Sequence, residues 1–253
     1  LILGLRGASI AARFFLSFLF VKYISLEFQG EYSLLLNTIT LMTLVVGFDF
    51  YIYSNRYIIK NTSKLGFSIL NQFAVHLVFY IVLIIVFFVF NYLDLFSKYS
   101  TVSILILILL EHLGTEFFRL YIAIEKVLIA NILLFLRTGT WPIVLIYQLL
   151  FTDFDLTINS VISYWALASL VTILISFLLI YRDLRQVKLS LDLTWIKKGF
   201  NVGILFFSAT IAQKVIEFSD RYIIDSVLGA KSLGIYSFYF QLANLTNVAI
   251  FTI

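Results

Sequence analysis

The chain has 253 residues, 62% of them hydrophobic and 13% charged, with a formal net charge of +4 and a mean hydropathy of +1.03. An average soluble domain is about 45–50% apolar and about 25% charged, so this composition excludes a water-soluble globular protein. No cysteine is present, which excludes disulfides and thiolate metal sites. In lipid every backbone N–H and C=O must be paired internally, which leaves helices or closed barrels. Continuous apolar runs of about twenty residues, rather than alternating segments of about ten, select helices. The expected fold class is therefore an all-α, polytopic membrane bundle.

Eight spanning helices are predicted, near residues 3–25, 31–54, 68–92, 101–124, 128–150, 159–181, 201–224 and 230–253. The first carries Arg6, Ser9, Arg13 and Ser17 at spacings of three and four, which makes one narrow polar stripe on an otherwise apolar helix. No cleavage signature follows it, so it is not read as a signal peptide. In the second, Asp49 is assigned a structural role at the helix end. In the third, His76 stands alone on an apolar helix and reads as a satisfied buried histidine. The fourth gathers Glu111, His112, Thr115, Glu116, Arg119 and Lys126 within an arc of roughly 140°. The fifth contains Arg137 and the only proline, Pro142, which removes a backbone hydrogen bond and is expected to kink the helix. The seventh shows Thr210, Gln213, Lys214, Glu217, Asp220 and Arg221 within about 120°. Three polar stripes on three helices imply a shared polar interior.

The polar stretch 182–198 is long enough to join two bundles. It divides the chain into an N-terminal six-helix lobe (1–181), a cytoplasmic linker (182–200) and the first two helices of a second lobe (201–253). Leu1 and the closing apolar run both look cut, so a C-terminally truncated chain is expected. With the N-terminus inside, the cytoplasmic loops hold Arg56, Lys60, Lys64, Lys126, Arg182, Arg185, Lys188, Lys197 and Lys198. The other side holds Lys22, Lys98, Arg221 and Lys231, and nine against four favours this orientation. Trp195 and the two lysines after it are expected to lie along an anionic lipid surface. A repeat is visible as well. Ala8-Ser9-Ile10-Ala11-Ala12-Arg13 matches Ala209-Thr210-Ile211-Ala212-Gln213-Lys214, and Gly30-Glu31-Tyr32-Ser33 matches Gly234-Ile235-Tyr236-Ser237. Six helices separate the copies, as in a parallel repeat of two six-helix bundles.

A charge at mid-membrane costs at least about 2.5–3.5 kcal/mol, so intramembrane ionisable residues face protein or a wet cavity. Arg6, Lys22, Arg119 and Arg221 lie near helix ends, where snorkelling competes as an explanation. Glu116 with Arg119 and Glu217 with Arg221 also fit structural ion pairs. Arg13, Arg137 and Lys214 sit deep in three helices and point to an anionic cargo, with Arg6 on the same stripe as Arg13. Glu111 and Glu116 are candidates for proton or sodium coupling, joined by Glu217 and Asp220 on the seventh-helix stripe. No Walker loop, His-Glu-x-x-His or G-x-S-x-G elbow is present, so no cofactor, metal or catalytic role is read. Glu111 and His112 are adjacent but lack a partner histidine. The basic residues flank spans rather than cluster on a soluble face, which argues against nucleic acid as a partner.

Asp220-Arg221-Tyr222-Ile223-Ile224, then Leu228-Gly229-Ala230 and Leu233-Gly234-Ile235-Tyr236-Ser237, resembles the seventh-to-eighth helix signature of Wzx-type polysaccharide flippases. Gly47-Phe48 before Arg56, and Arg119 with Ala123-Ile124-Glu125-Lys126, are similar to that group too. It shares a superfamily with MATE exporters and lipid II flippases. The resemblance implies a two-lobed, MATE-like fold, alternating access, and a cationic cavity accepting undecaprenyl-diphosphate-linked oligosaccharide in the bacterial cytoplasmic membrane. It also implies a polysaccharide polymerase and other assembly proteins as partners. Two other readings are weighed. A MATE-type antiporter for organic cations would favour acidic cavity residues, and a membrane scaffold would not need charged stripes to converge.

Overall fold

The structure, a computed structural model, describes residues 1–92, 101–152, 155–184 and 190–251. It is an all-α polytopic membrane protein. Helix α1 (Ile2–Leu19) runs into a π-helical turn, Phe20–Ile24, and Ser25 then leaves the helical region. The Ser25 hydroxyl accepts a hydrogen bond from the Phe28 N–H and caps α2 (Leu26–Gly47), with Glu27 in the first turn where the positive helix end favours it. The remaining helices are α3 (Tyr51–Lys60), α4 (Leu65–Tyr92), α5 (Thr101–Ala123), α6 (Val127–Thr138), α7 (Thr140–Phe151), α8 (Ile158–Leu184) and α9 (Leu193–Phe251). Gly229, at φ 81° and ψ 169°, breaks α9 into two arms. That backbone suits glycine, which has no Cβ to clash.

Six helical stretches among the described residues are long and apolar enough to cross a membrane: Ile2–Ile24, Leu26–Gly47, Leu65–Val89, Val127–Phe151, Ile158–Tyr181 and Leu193–Asn244. Helix α5 carries Glu111, Glu116 and Arg119 and lies in the middle of the bundle, packed on α2, α4, α6 and α8. The outer faces are greasy. On α4, Val78, Ile81, Ile85 and Phe88 are more than half exposed, and on α8 so are Leu167, Leu174 and Leu178. An apolar surface of that extent is stable only against lipid.

Local physics departs from the predicted elements in three places. The second predicted span, 31–54, ends early. Phe48 and Asp49 both take φ 49°, a left-handed turn that stops α2 at Gly47 and starts the short α3 in a new direction. The fifth span breaks at Gly139 into α6 and α7, because Pro142 has no N–H to offer the Thr138 carbonyl one turn earlier. Third, α9 begins inside the predicted linker. Asp192 Oδ1 accepts from the Trp195 N–H at 2.9 Å, and Asn71 on α4 bonds the Asp192 N–H and the Ser190 carbonyl. Trp195 is accordingly buried among Phe50, Tyr53, Tyr57 and Phe67 rather than spread on a lipid surface. Lys98, Arg185 and Lys188 lie outside the described residues.

The first arm of α9 lies on α2 and α3, with Gly203 against Phe48 and Gly199 against Phe50. Past Gly229 the closest approach joins the two repeat copies. A Cβ on Gly30 would collide with the Ala230 carbonyl, and one on Gly234 with the Leu26 carbonyl. The glycines that correspond in the repeat thus meet each other across α2 and α9, where small residues let two backbones touch.

Candidate functional site

A cavity of about 490 Å³ opens between α1, α2, α5, α6 and the first arm of α9. Four basic side chains reach it, Arg13, Arg119, Arg137 and Lys214, against two carboxylates, Asp49 and Glu111. Threonines and two indoles, Trp141 and Trp165, supply most of the remaining polar or aromatic lining. Arg13 from the α1 stripe and Glu111, His112, Thr115 and Arg119 from the α5 stripe therefore face one chamber. The stripe on α9 divides, with Thr210 and Lys214 inside and Glu217, Asp220 and Arg221 outside.

Glu111 is held on every side. Trp165 Nε1 donates to its Oε1 at 2.8 Å and the Ser169 hydroxyl at 2.6 Å, both from α8. Arg137, on α6, approaches Oε2 to 3.8 Å with Nε, while its Nη1 donates to the Glu111 carbonyl (3.1 Å) and to Thr115 Oγ1 (2.9 Å). Gly114 makes room for this guanidinium, since a Cβ there would press on Arg137 Nη1. Burial of each charge is offset by the other and by these donors. Arg137 is thus engaged by the protein itself, and Nε keeps no hydrogen-bond partner.

Arg13 differs. Among the described residues it makes no hydrogen bond or ion pair, and it lines both the central cavity and a second one of about 240 Å³ shared with Ser17, Tyr32, Gln241 and Asn244. The buried Tyr32 hydroxyl beside it is also unpartnered. Lys214 meets Glu217 at 2.6 Å, one turn along, and sits 5.0 Å from the Phe218 ring centre. Both groups of that pair are substantially exposed, where an ion pair is weak.

The other predicted residues fall elsewhere. Arg6 does not line the cavity, because its Nε donates to Asn131 Oδ1 at 2.7 Å on the neighbouring helix. Glu116 also lies outside it. Its carboxylate takes hydrogen bonds from Gln72 Nε2 and from Arg119 Nη1 (2.6 Å), and it borders a smaller cavity between α4 and α5. Asp220 accepts from the Tyr236 hydroxyl and from the Arg221 N–H, tying the two arms of α9 together. Arg221 is buried, bonds the Glu217 carbonyl and stacks on Phe240. Glu217 borders a cavity with Ser33 and Ser237.

Sequence reasoning missed two features. Asp49 lines the cavity with Oδ2 buried and unpartnered, aimed there by a left-handed turn that no spacing announces. His76 is not alone, since its ring lies 4.5 Å from that of His112. The available signal was His112 and Glu116 at i and i+4.

The profile of the polysaccharide biosynthesis protein family matches residues 3–253. No curated protein and no solved structure gives a match. A helical membrane bundle around a basic chamber, and a family match over nearly its whole length, have one consequence: the chain belongs to the polysaccharide biosynthesis protein family, that of the Wzx-type flippases.

Proposed function

We propose that this protein moves undecaprenyl-diphosphate-linked oligosaccharide across the bacterial cytoplasmic membrane by alternating access between two lobes, with its N-terminus in the cytoplasm. It is a carrier rather than an enzyme, in keeping with a family of transporters, and a polysaccharide polymerase is the partner that would consume its product. The observation that carries this reading is the lining of the central cavity, four basic side chains against two carboxylates, with Arg13 unpaired among the described residues. An unpaired guanidinium in a chamber of low dielectric attracts a diphosphate strongly, through short, charge-assisted and often bidentate hydrogen bonds. The second cavity that Arg13 also lines gives the same cation access to a more apolar space.

Arg13 and Lys214 bind the head group in this reading. Arg137 supports them and links the cargo to Glu111. A diphosphate near Arg137 competes with the Glu111 carboxylate, 3.8 Å away, and so ties cargo binding to the carboxylate proposed for ion coupling. Coupling thus falls to Glu111, and the positions of Glu116, Glu217 and Asp220 outside the cavity favour structural roles for them.

Deletion of the gene in its host, with complementation by variants, tests the proposal. Surface polysaccharide should vanish on deletion, return with the unaltered chain, and fail to return with Arg13→Ala. Full rescue by both Arg13→Ala and Lys214→Ala would end the proposal. Loss of resistance to cationic drugs with normal surface glycan would instead make the protein an organic-cation antiporter.

A further inference from the structure

Between α4 and α5, three Lewis bases converge. His76 and His112 are both almost wholly buried, and the Nε2 atom of each lacks a hydrogen-bond partner. One ring nitrogen of each histidine and a Glu116 oxygen lie within 4.8 Å of one another, and His112 Nε2 is 3.7 Å from Glu116 Oε1. Two buried imidazole nitrogens facing a carboxylate, unbonded, are costly unless something is shared among them.

The groups around the trio are arranged as they are around metal-bound histidines, whose second nitrogen is usually fixed by an outer partner. The His112 Nδ1 atom contacts the Tyr80 hydroxyl at 2.6 Å. Gln72 and Arg119 hold the Glu116 carboxylate in place. With Nδ1–H of His112 turned outward to the Tyr80 oxygen, its Nε2 lone pair points inward. A zinc ion with bonds of 2.0–2.2 Å keeps its ligand atoms about 3.4 Å apart, so a modest side-chain rotation closes the set. The geometry points to a transition-metal site of the zinc class, ligated by His76, His112 and Glu116.

Access is available through the cavity of about 80 Å³ lined by Asn55, Gln72, His76 and Glu116, which leaves a fourth position for water. On its other side His112 borders the central cavity, so the ion would brace α4 and α5 at the wall of the transport chamber. Arg119 opposes a divalent cation here. Its guanidinium lies 3.6 Å over the Tyr51 ring, a second contact that holds it when Glu116 turns to the metal. The inference does not depend on the cargo.

The experiment uses the purified full chain, free of any affinity tag, in lipid nanodiscs after chelation, titrated with Co²⁺ and then Zn²⁺. One equivalent of Co²⁺ should give the intense visible bands of a four- or five-coordinate nitrogen and oxygen site, and Zn²⁺ should bleach them. His76→Gln and His112→Gln should abolish the bands, Tyr80→Phe should weaken Co²⁺ binding by about tenfold, and Arg119→Met should tighten it. The Tyr80 and Arg119 variants keep all three ligands, so they remain informative if a histidine variant fails to fold. Absence of the bands, or bands that survive both histidine changes, would overturn the site and leave the two rings sharing a proton.

Discussion

Two arginines on facing helices have opposite fates, and the difference separates architecture from function. Arg137 is buried, bonded to the Glu111 carbonyl and Thr115, and close to a carboxylate that α8 also grips through Trp165 and Ser169. Arg13 lines the same chamber and has no hydrogen-bond or ion-pair partner among the described residues. A protein that desolvates a cation usually satisfies it. Under the proposed function, the one left unsatisfied among the described residues is the one whose partner is the cargo.

Arg137→Met breaks the comparison hardest. It strands the Glu111 charge, and loss of one member of a buried pair costs roughly 3–5 kcal/mol. Thermal unfolding in detergent should show a large drop in Tm, substantially restored by the Glu111→Gln, Arg137→Met double variant. Arg13→Ala should behave in the reverse way, leaving Tm close to its original value while removing a charged hydrogen bond to the head group worth about 1.5–3 kcal/mol, roughly ten- to a hundredfold in head-group affinity. A smaller effect, about 1–3 kcal/mol of stability from overpacking, is expected for Gly30→Ala or Gly234→Ala, because each Cβ meets a backbone carbonyl of the facing helix. It is read as loss of folded protein in a thermal shift series. Least of all, Lys214→Ala should move stability by about 0–1 kcal/mol, since its pair with Glu217 is exposed, and should reduce transport less than Arg13→Ala.

Much of this was legible in the chain. Apolar run length marks roughly where the spans lie, and three- and four-residue spacing places Arg13 and most of the α5 charges on inward stripes. The repeat was visible as well, but not that Gly30 and Gly234 touch. What spacing cannot express is a partner on another helix. His76 read as solitary because His112 is brought to it by packing between α4 and α5. Arg6 read as part of the cavity because the stripe does not tell that Asn131 intercepts it first. Asp49 read as a helix end, yet a left-handed pair at Phe48 and Asp49 turns it into the chamber. Trp195 read as interfacial because aromatic residues beside lysines usually are, whereas Asp192 and Asn71 anchor that end of α9 and bury the indole.

The most direct measurement is the affinity of the full chain in nanodiscs for a diphosphate-linked lipid glycan, compared between Arg13→Ala and the unaltered protein, with Tm recorded on the same samples. A ten- to a hundredfold weaker Kd, roughly, at an unchanged Tm is the predicted result. Equal affinity in the two proteins would contradict the assignment of Arg13 to the head group.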